Sequence, residues 1–198
     1  AHRSPHLQYF ANRSFIAKQV GDVRDVGLAL DYTFDKIPLK LEGGLFNGSG
    51  LTEQKDYWTR SLNFSAKAQY MLPFGLTLQG SVQKISPTGG AIYLYDGGMT
   101  LQRGRWTVEA EYMRKHYSRG NFPNVNAVDA FVCYGLPLRG VFNKLSFLTR
   151  FDMMDDHSEG VLATDETTGL QYLPIDDGAR KRITGGLTLS FVRQFHAD

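Results

Sequence analysis

WTRSLNFSAKAQYMLPFGLTLQGSVQ, residues 58–83, is the stretch whose reading decides the fold. It reads as two strands joined by a tight turn at Leu72-Pro73-Phe74-Gly75. Leu62, Phe64, Ala66, Ala68, Tyr70 and Leu72 fall on one face, and Asn63, Ser65, Lys67, Gln69 and Met71 on the other, because side chains alternate sides along a strand. After the turn Leu76, Leu78, Gly80 and Val82 oppose Thr77, Gln79, Ser81 and Gln83. The apolar face, with Ala66, Ala68 and Gly80 among its members, is too lightly built for a soluble core and suits contact with lipid tails. The polar face, with Lys67 among amides and hydroxyls, suits a water-filled interior. The pair predicts an all-β chain folded as an antiparallel transmembrane up-and-down β-barrel.

The same alternation recurs on both sides of this hairpin. It is visible over 26–34, 39–45, 93–101, 106–113, 128–136, 145–153 and 183–191, which gives about nine or ten strands and no helical period among them. The connections near residues 35, 73, 103, 140 and 193 are short, and those near 51, 87, 122 and 167 are generally longer. A transmembrane barrel has short turns on one side and long loops on the other. Tyr32, Phe34, Tyr70, Phe74, Trp106, Tyr134 and Phe191 collect near the short-turn ends, where an interfacial aromatic girdle belongs. Residues 1–24 read mainly as loop and 155–180 as a long external loop, within one barrel domain over 1–198. Phe195-His196-Ala197-Asp198 reads as the start of a further strand.

Composition narrows the function classes. Aromatic residues make up 13% of the 198, and there are 21 glycines, which fits many strands and turns. A net charge of +2 gives no electrostatic case for nucleic acid. Cys133 is the single cysteine, so a disulfide framework and a cysteine-based zinc cluster are excluded, and it reads as a small packing residue. No apolar run approaches the roughly 18 residues of a membrane helix, which is no argument against membrane strands. Ala1-His2-Arg3-Ser4-Pro5 carries no signal-peptide pattern.

The polar parity carries Lys40, Lys67, Lys115, Arg150 and Arg182, together with Glu42, Asp96, Glu109, Glu111, Asp129 and Asp152. A ring of one sign would select ions. A mixed wall instead favours cross-strand ion pairs, so the five cations are candidates both for transport and for structural pairing, with Lys67 the first transport candidate. Lys84 takes the outward parity at the loop end of its strand, where it suits either the pore rim or a lipid headgroup. Asp152, Asp155, Asp156, His157 and Glu159 open the long loop. Asp155, Asp156 and Glu159 are oxygen donors of the kind calcium takes, although their spacing matches no EF-hand and a solvated loop accounts for them. Arg180, Lys181 and Arg182 could pair with these acids or with lipid phosphates. No nucleophile elbow, phosphate loop or His-Glu-x-x-His motif occurs, and His116 with Ser118 is the one pair that could serve a hydrolase. No cofactor is implied.

Several segments resemble the phosphate-selective porin family (O and P type). They are Phe10-Ala11-Asn12-Arg13-Ser14-Phe15, Gly21-Asp22-Val23-Arg24-Asp25-Val26-Gly27, Leu41-Glu42-Gly43-Gly44-Leu45-Phe46-Asn47-Gly48, Arg150-Phe151-Asp152-Met153-Met154-Asp155-Asp156 and Arg180-Lys181-Arg182-Ile183-Thr184-Gly185-Gly186-Leu187. The resemblance implies an internal portion of a sixteen-stranded barrel in the outer membrane of a Gram-negative bacterium. It would usually be a homotrimer, surrounded by outer-membrane lipid, passing small anionic solutes such as phosphate and doing no chemistry. The family's ladder of arginines and lysines does not map onto this chain position by position. Three other readings stay open. One is a small outer-membrane β-barrel enzyme such as a lipid hydrolase; another is a structural porin-like subunit of a larger outer-membrane complex; the third is a soluble β-sandwich binding module.

Overall fold

The computed structural model describes residues 15–16, 26–47, 62–86, 91–119, 123–156, 163–164, 167, 171–172 and 178–191. In chain order the strands are β1 (Val26–Thr33), β2 (Leu39–Asn47), β3 (Leu62–Met71), β4 (Leu76–Ile85), β5 (Ile92–Arg103) and β6 (Trp106–Tyr117). They continue with β7 (Val125–Pro137), β8 (Phe142–Met154), β9 (Ala163–Thr164), β10 (Gln171–Tyr172) and β11 (Arg180–Phe191). Nine of them form one antiparallel sheet in the order β1-β2-β3-β4-β5-β6-β7-β8-β11, so the chain runs up and down between sequence neighbours. The short strands β9 and β10 pair with each other inside the connection from β8 to β11.

Three expectations need correction. The sheet is open, with β1 and β11 at its edges, rather than closed on itself. Residues 155–180 are not all loop, since they hold the β9–β10 hairpin, whose two-residue strands are too short to show a period. β7 begins at Val125 rather than Val128, because Asn126 can be accommodated in the ladder. Its side-chain amide donates to Asp155 Oδ2 at 2.7 Å and its Oδ1 accepts from the Tyr112 hydroxyl at 2.7 Å. The strand start expected at Trp58 to Ser61, and the partial strand at 195–198, lie outside the described residues.

Register shows why alternation translates into two chemically different faces. Glu42 opposes Lys67, Lys67 opposes Ser81, Ser81 opposes Asp96, and the same parity passes on through every pair to β11. Every acidic residue of the nine strands therefore lies on one side, called here the inner face. The outward face carries large apolar side chains in the open. Leu28 is 67% exposed, Leu30 71%, Ile183 77% and Leu187 69%. Burial follows the same division, with Leu94, Met113, Val125, Ala127 and Met154 all buried on the inner face. Cys133 packs there with Phe131 and Leu148, as its reading as a packing residue expects.

The two ends differ as well. At the short-turn end the rings meet in pairs: Tyr32 with Phe34 at 4.8 Å, Trp106 with Tyr134 at 4.6 Å, and Phe142 with Phe191 at 4.9 Å between centroids. Three of the four turns described there place a glycine in the left-handed region: Gly75 (φ 85°), Gly104 (φ 60°) and Gly140 (φ 103°), while the β1–β2 turn uses no such residue. Gly75 carries a second constraint. Its carbonyl accepts the Gln102 N–H at 2.9 Å, and a β-carbon at Gly75 would run into the Gln102 carbonyl. Gly104 has open space around it. Gly75→Ala is expected to destabilise the protein by about 2 kcal/mol in denaturant titration, through backbone strain plus the collision. Gly104→Ala should cost less, about 1 kcal/mol, from strain alone.

Candidate functional site: a charged belt on the inner face

Two hydrogen-bonded rows cross the whole sheet at adjacent heights. One runs Asp31, Glu42, Lys67, Ser81, Asp96, Met113, Ala127, Met154, Arg180. The other runs Thr33, Lys40, Gln69, Gln79, Gly98, Glu111, Asp129, Asp152, Arg182. Side chains one row apart on the same face are neighbours, so these rows form a belt of charge and amide at right angles to the strands. Each of Lys40, Lys67, Lys115, Arg150 and Arg182 lies on the inner face. Lys40, Lys67 and Arg182 belong to the belt itself, Lys115 stands one row toward the long loops, and Arg150 one row toward the turns.

The belt has four sectors. Over β1–β3 it is a chain of ion pairs: Lys40 Nζ lies 3.6 Å from Asp31 and 2.7 Å from Glu42, and Lys67 Nζ lies 4.0 Å from Glu42. Lys67 is thus shared with a carboxylate across the strand rather than surrounded only by uncharged groups. Next comes a neutral stretch, where Gln69 Nε2 donates to Gln79 Oε1 at 3.4 Å. Over β5–β7 the charges are acidic: Asp96, Glu111 and Asp129, with Glu109 one row below. Lys115 stands nearby with its ammonium 5.3 Å from the Tyr117 ring centroid, a cation–π distance.

The fourth sector, over β8 and β11, is the most tightly built. Asp152 is fully buried, and its Oδ2 accepts from Arg150 Nε at 2.9 Å and from Arg182 Nε and Nη2 at 3.1 and 3.0 Å. Its Oδ1 accepts the backbone N–H of Phe15 at 3.4 Å. The guanidinium carbons of Arg180 and Arg182 each lie 4.5 Å from the Phe15 ring centroid. Ile16 beside it packs against Leu94, Met113, Val125, Ala127 and Met154. Residues 1–24 were expected to be mainly loop. Of these only Phe15 and Ile16 are described, and they lie in a helical turn and are buried. The rest of the segment lies outside the described residues. The only local signal for this anchor is an apolar pair in a polar setting.

Other sequence candidates fall elsewhere. His116 is on the outward parity with Nδ1 2.7 Å from Asn124 Oδ1, while the Ser118 hydroxyl accepts the Ala91 N–H at 3.0 Å. Each thus has a partner other than the one a hydrolase would require. Asp155 binds Asn126, Glu159 lies outside the described residues, and no group of three or more metal-ligating side chains occurs among the described residues. No family model, curated protein or solved structure matches the chain.

Asp152→Asn removes the charge that two arginines share in a buried setting. It is expected to lower stability by about 3 kcal/mol in denaturant titration, because buried guanidinium would be left without its counter-charge. Glu42→Gln breaks contacts that water reaches, and the same titration should detect no loss.

Proposed function

We propose that this chain forms wall of an outer-membrane β-barrel porin through which small hydrophilic solutes diffuse, phosphate-like anions among them. The observation that carries the reading is the division between the two faces. On the outward face of β5 and β6 no charge intervenes between Arg103 and the row of Tyr95 and Arg114, eight residues along the strand, while Lys181 of β11 stands one row nearer the turns. At about 3.3 Å per residue this is about 26 Å along the strand, or about 20 Å of height at the roughly 40° tilt of barrel strands, most of the apolar band of about 25 Å. The aromatic pairs at the short-turn end suit one interface of that band.

Two open edges are untenable in lipid, where each unsatisfied backbone group costs several kcal/mol. On this reading β1 and β11 pair with further strands to close the barrel, and the resemblance to the phosphate-selective porins implies sixteen strands and a homotrimer. The inner face then lines water. Its belt carries both signs, with acids grouped over β5–β7 and bases interleaved on either side. Such a wall sets up a field across the pore rather than a filter of one sign. Solutes would be sorted by size first and by charge weakly. Lys40 and Lys67 are half-buried and reach water, so they are the groups a passing anion would meet, whereas the buried Arg150 holds Asp152. The partners of His116 and Ser118 give a hydrolase no support.

Reconstitution into a planar bilayer is expected to give stepwise conductance. A protein that inserts without conducting would leave only a structural subunit. Lys67→Gln is expected to keep the channel open while lowering the anion-to-cation permeability ratio, read from the reversal potential in a salt gradient. An unchanged ratio would remove Lys67 from the solute path.

A further inference from the structure

The outward face is not charge-free at its margins, and its margins are unequal. The charged side chains of this parity in the nine strands are Lys84, Arg103, Arg114 and Lys181, with the titratable His116 beside them, and none is acidic. All but Arg103 stand toward the long-loop end. Lys84 faces Tyr93, and Tyr93 faces His116; one row inward Tyr95 faces Arg114. The two tyrosine rings stack at 6.5 Å, and Tyr93 approaches the His116 ring at 6.4 Å. Among the described residues, Asp155 follows β8 at this end of the sheet, and its Oδ2 is taken by Asn126. On the inner face, by contrast, the same strands mix acids and bases.

We infer that this rim docks the anionic, phosphate-bearing headgroups of lipid in the leaflet on the long-loop side. The inference rests on the membrane reading above and assigns that membrane a polarity. Lys84 and Arg114 are two strands and two residues apart. With strands about 4.8 Å apart, their backbones lie roughly 12 Å from each other. Two long cationic side chains can close that gap around one phosphate group, with the phenols of Tyr93 and Tyr95 at headgroup depth between them. Guanidinium and ammonium both suit phosphate oxygens. A charge that only marked the edge of the apolar band could be of either sign. The exclusion of acids from this parity is what selects an anionic partner. At the opposite rim Arg103 is the one outward-facing cation of the nine strands, with Lys36, Arg105 and Arg139 beyond it in the turns.

The test is lipid retention by native mass spectrometry after reconstitution of the full chain in mixed phosphatidylglycerol and phosphatidylcholine. The wild type is expected to retain phosphatidylglycerol preferentially. The combined Lys84→Gln, Arg114→Gln and Lys181→Gln variant should lose that preference, at about fivefold per charge removed. Arg103→Gln, at the other rim, should keep it. Equal retention of both lipids by the wild type, or an unaltered preference in the triple variant, would overturn the inference. Displacement of phosphatidylglycerol by inorganic phosphate alone would also overturn it, by making the rim a soluble-anion site. Should the triple variant fold poorly, the wild type decides alone: its preference must weaken as salt rises. Failure to float with vesicles of either lipid would instead refute the porin reading, an outcome distinct from loss of preference.

Discussion

Once Glu42 stands opposite Lys67, parity leaves the following strands no freedom. A ladder slipped by one residue would turn every side chain of that strand to the other face. Here such a slip would bring a row of charge out among leucines and push leucines in among carboxylates. The bulge recorded between Ser190 and Phe191 lies at the very end of β11, where it disturbs none of the charged rows.

Within that frame the inner face divides its work. The β1–β3 ion pairs are open to water and adjustable. The Asp152 assembly is closed and over-determined, with three guanidinium nitrogens and one backbone N–H directed at a single carboxylate. A buried carboxylate is tolerable only when so engaged. The result is a wall with one compliant side and one rigid side.

Most of the sheet was legible because its information is local. Alternation over eight to thirteen residues per strand, and glycines at the turns, is written in consecutive positions. The shared face of Lys40, Lys67, Lys115, Arg150 and Arg182 followed from parity alone. Pairing partners were only partly legible. Counting alternation cannot say that Lys67 meets Glu42 until the register of β2 on β3 is fixed. The hub role of Asp152 was obscured because the same residue also reads as the first of an acidic loop cluster. Phe15 and Ile16 were not legible, since the strands that bury them lie far along the chain and no period marks two residues. Nor was the open edge, because alternation is the same whether or not a strand has a neighbour on each side.

The contact between Phe15 and Asp152 joins positions 137 residues apart. Every pairing in the main sheet except β8 with β11 links strands that follow one another directly, so hairpins can add in sequence at small entropic expense. The Phe15 contact closes a far longer loop than any of these pairings. Its partners come from β8, which supplies Asp152, from β11, which supplies Arg180 and Arg182, and from the apolar residues of β5–β8. One short apolar pair thus ties a distant stretch of chain across the sheet, and Phe15 and Ile16 cover part of the inner face.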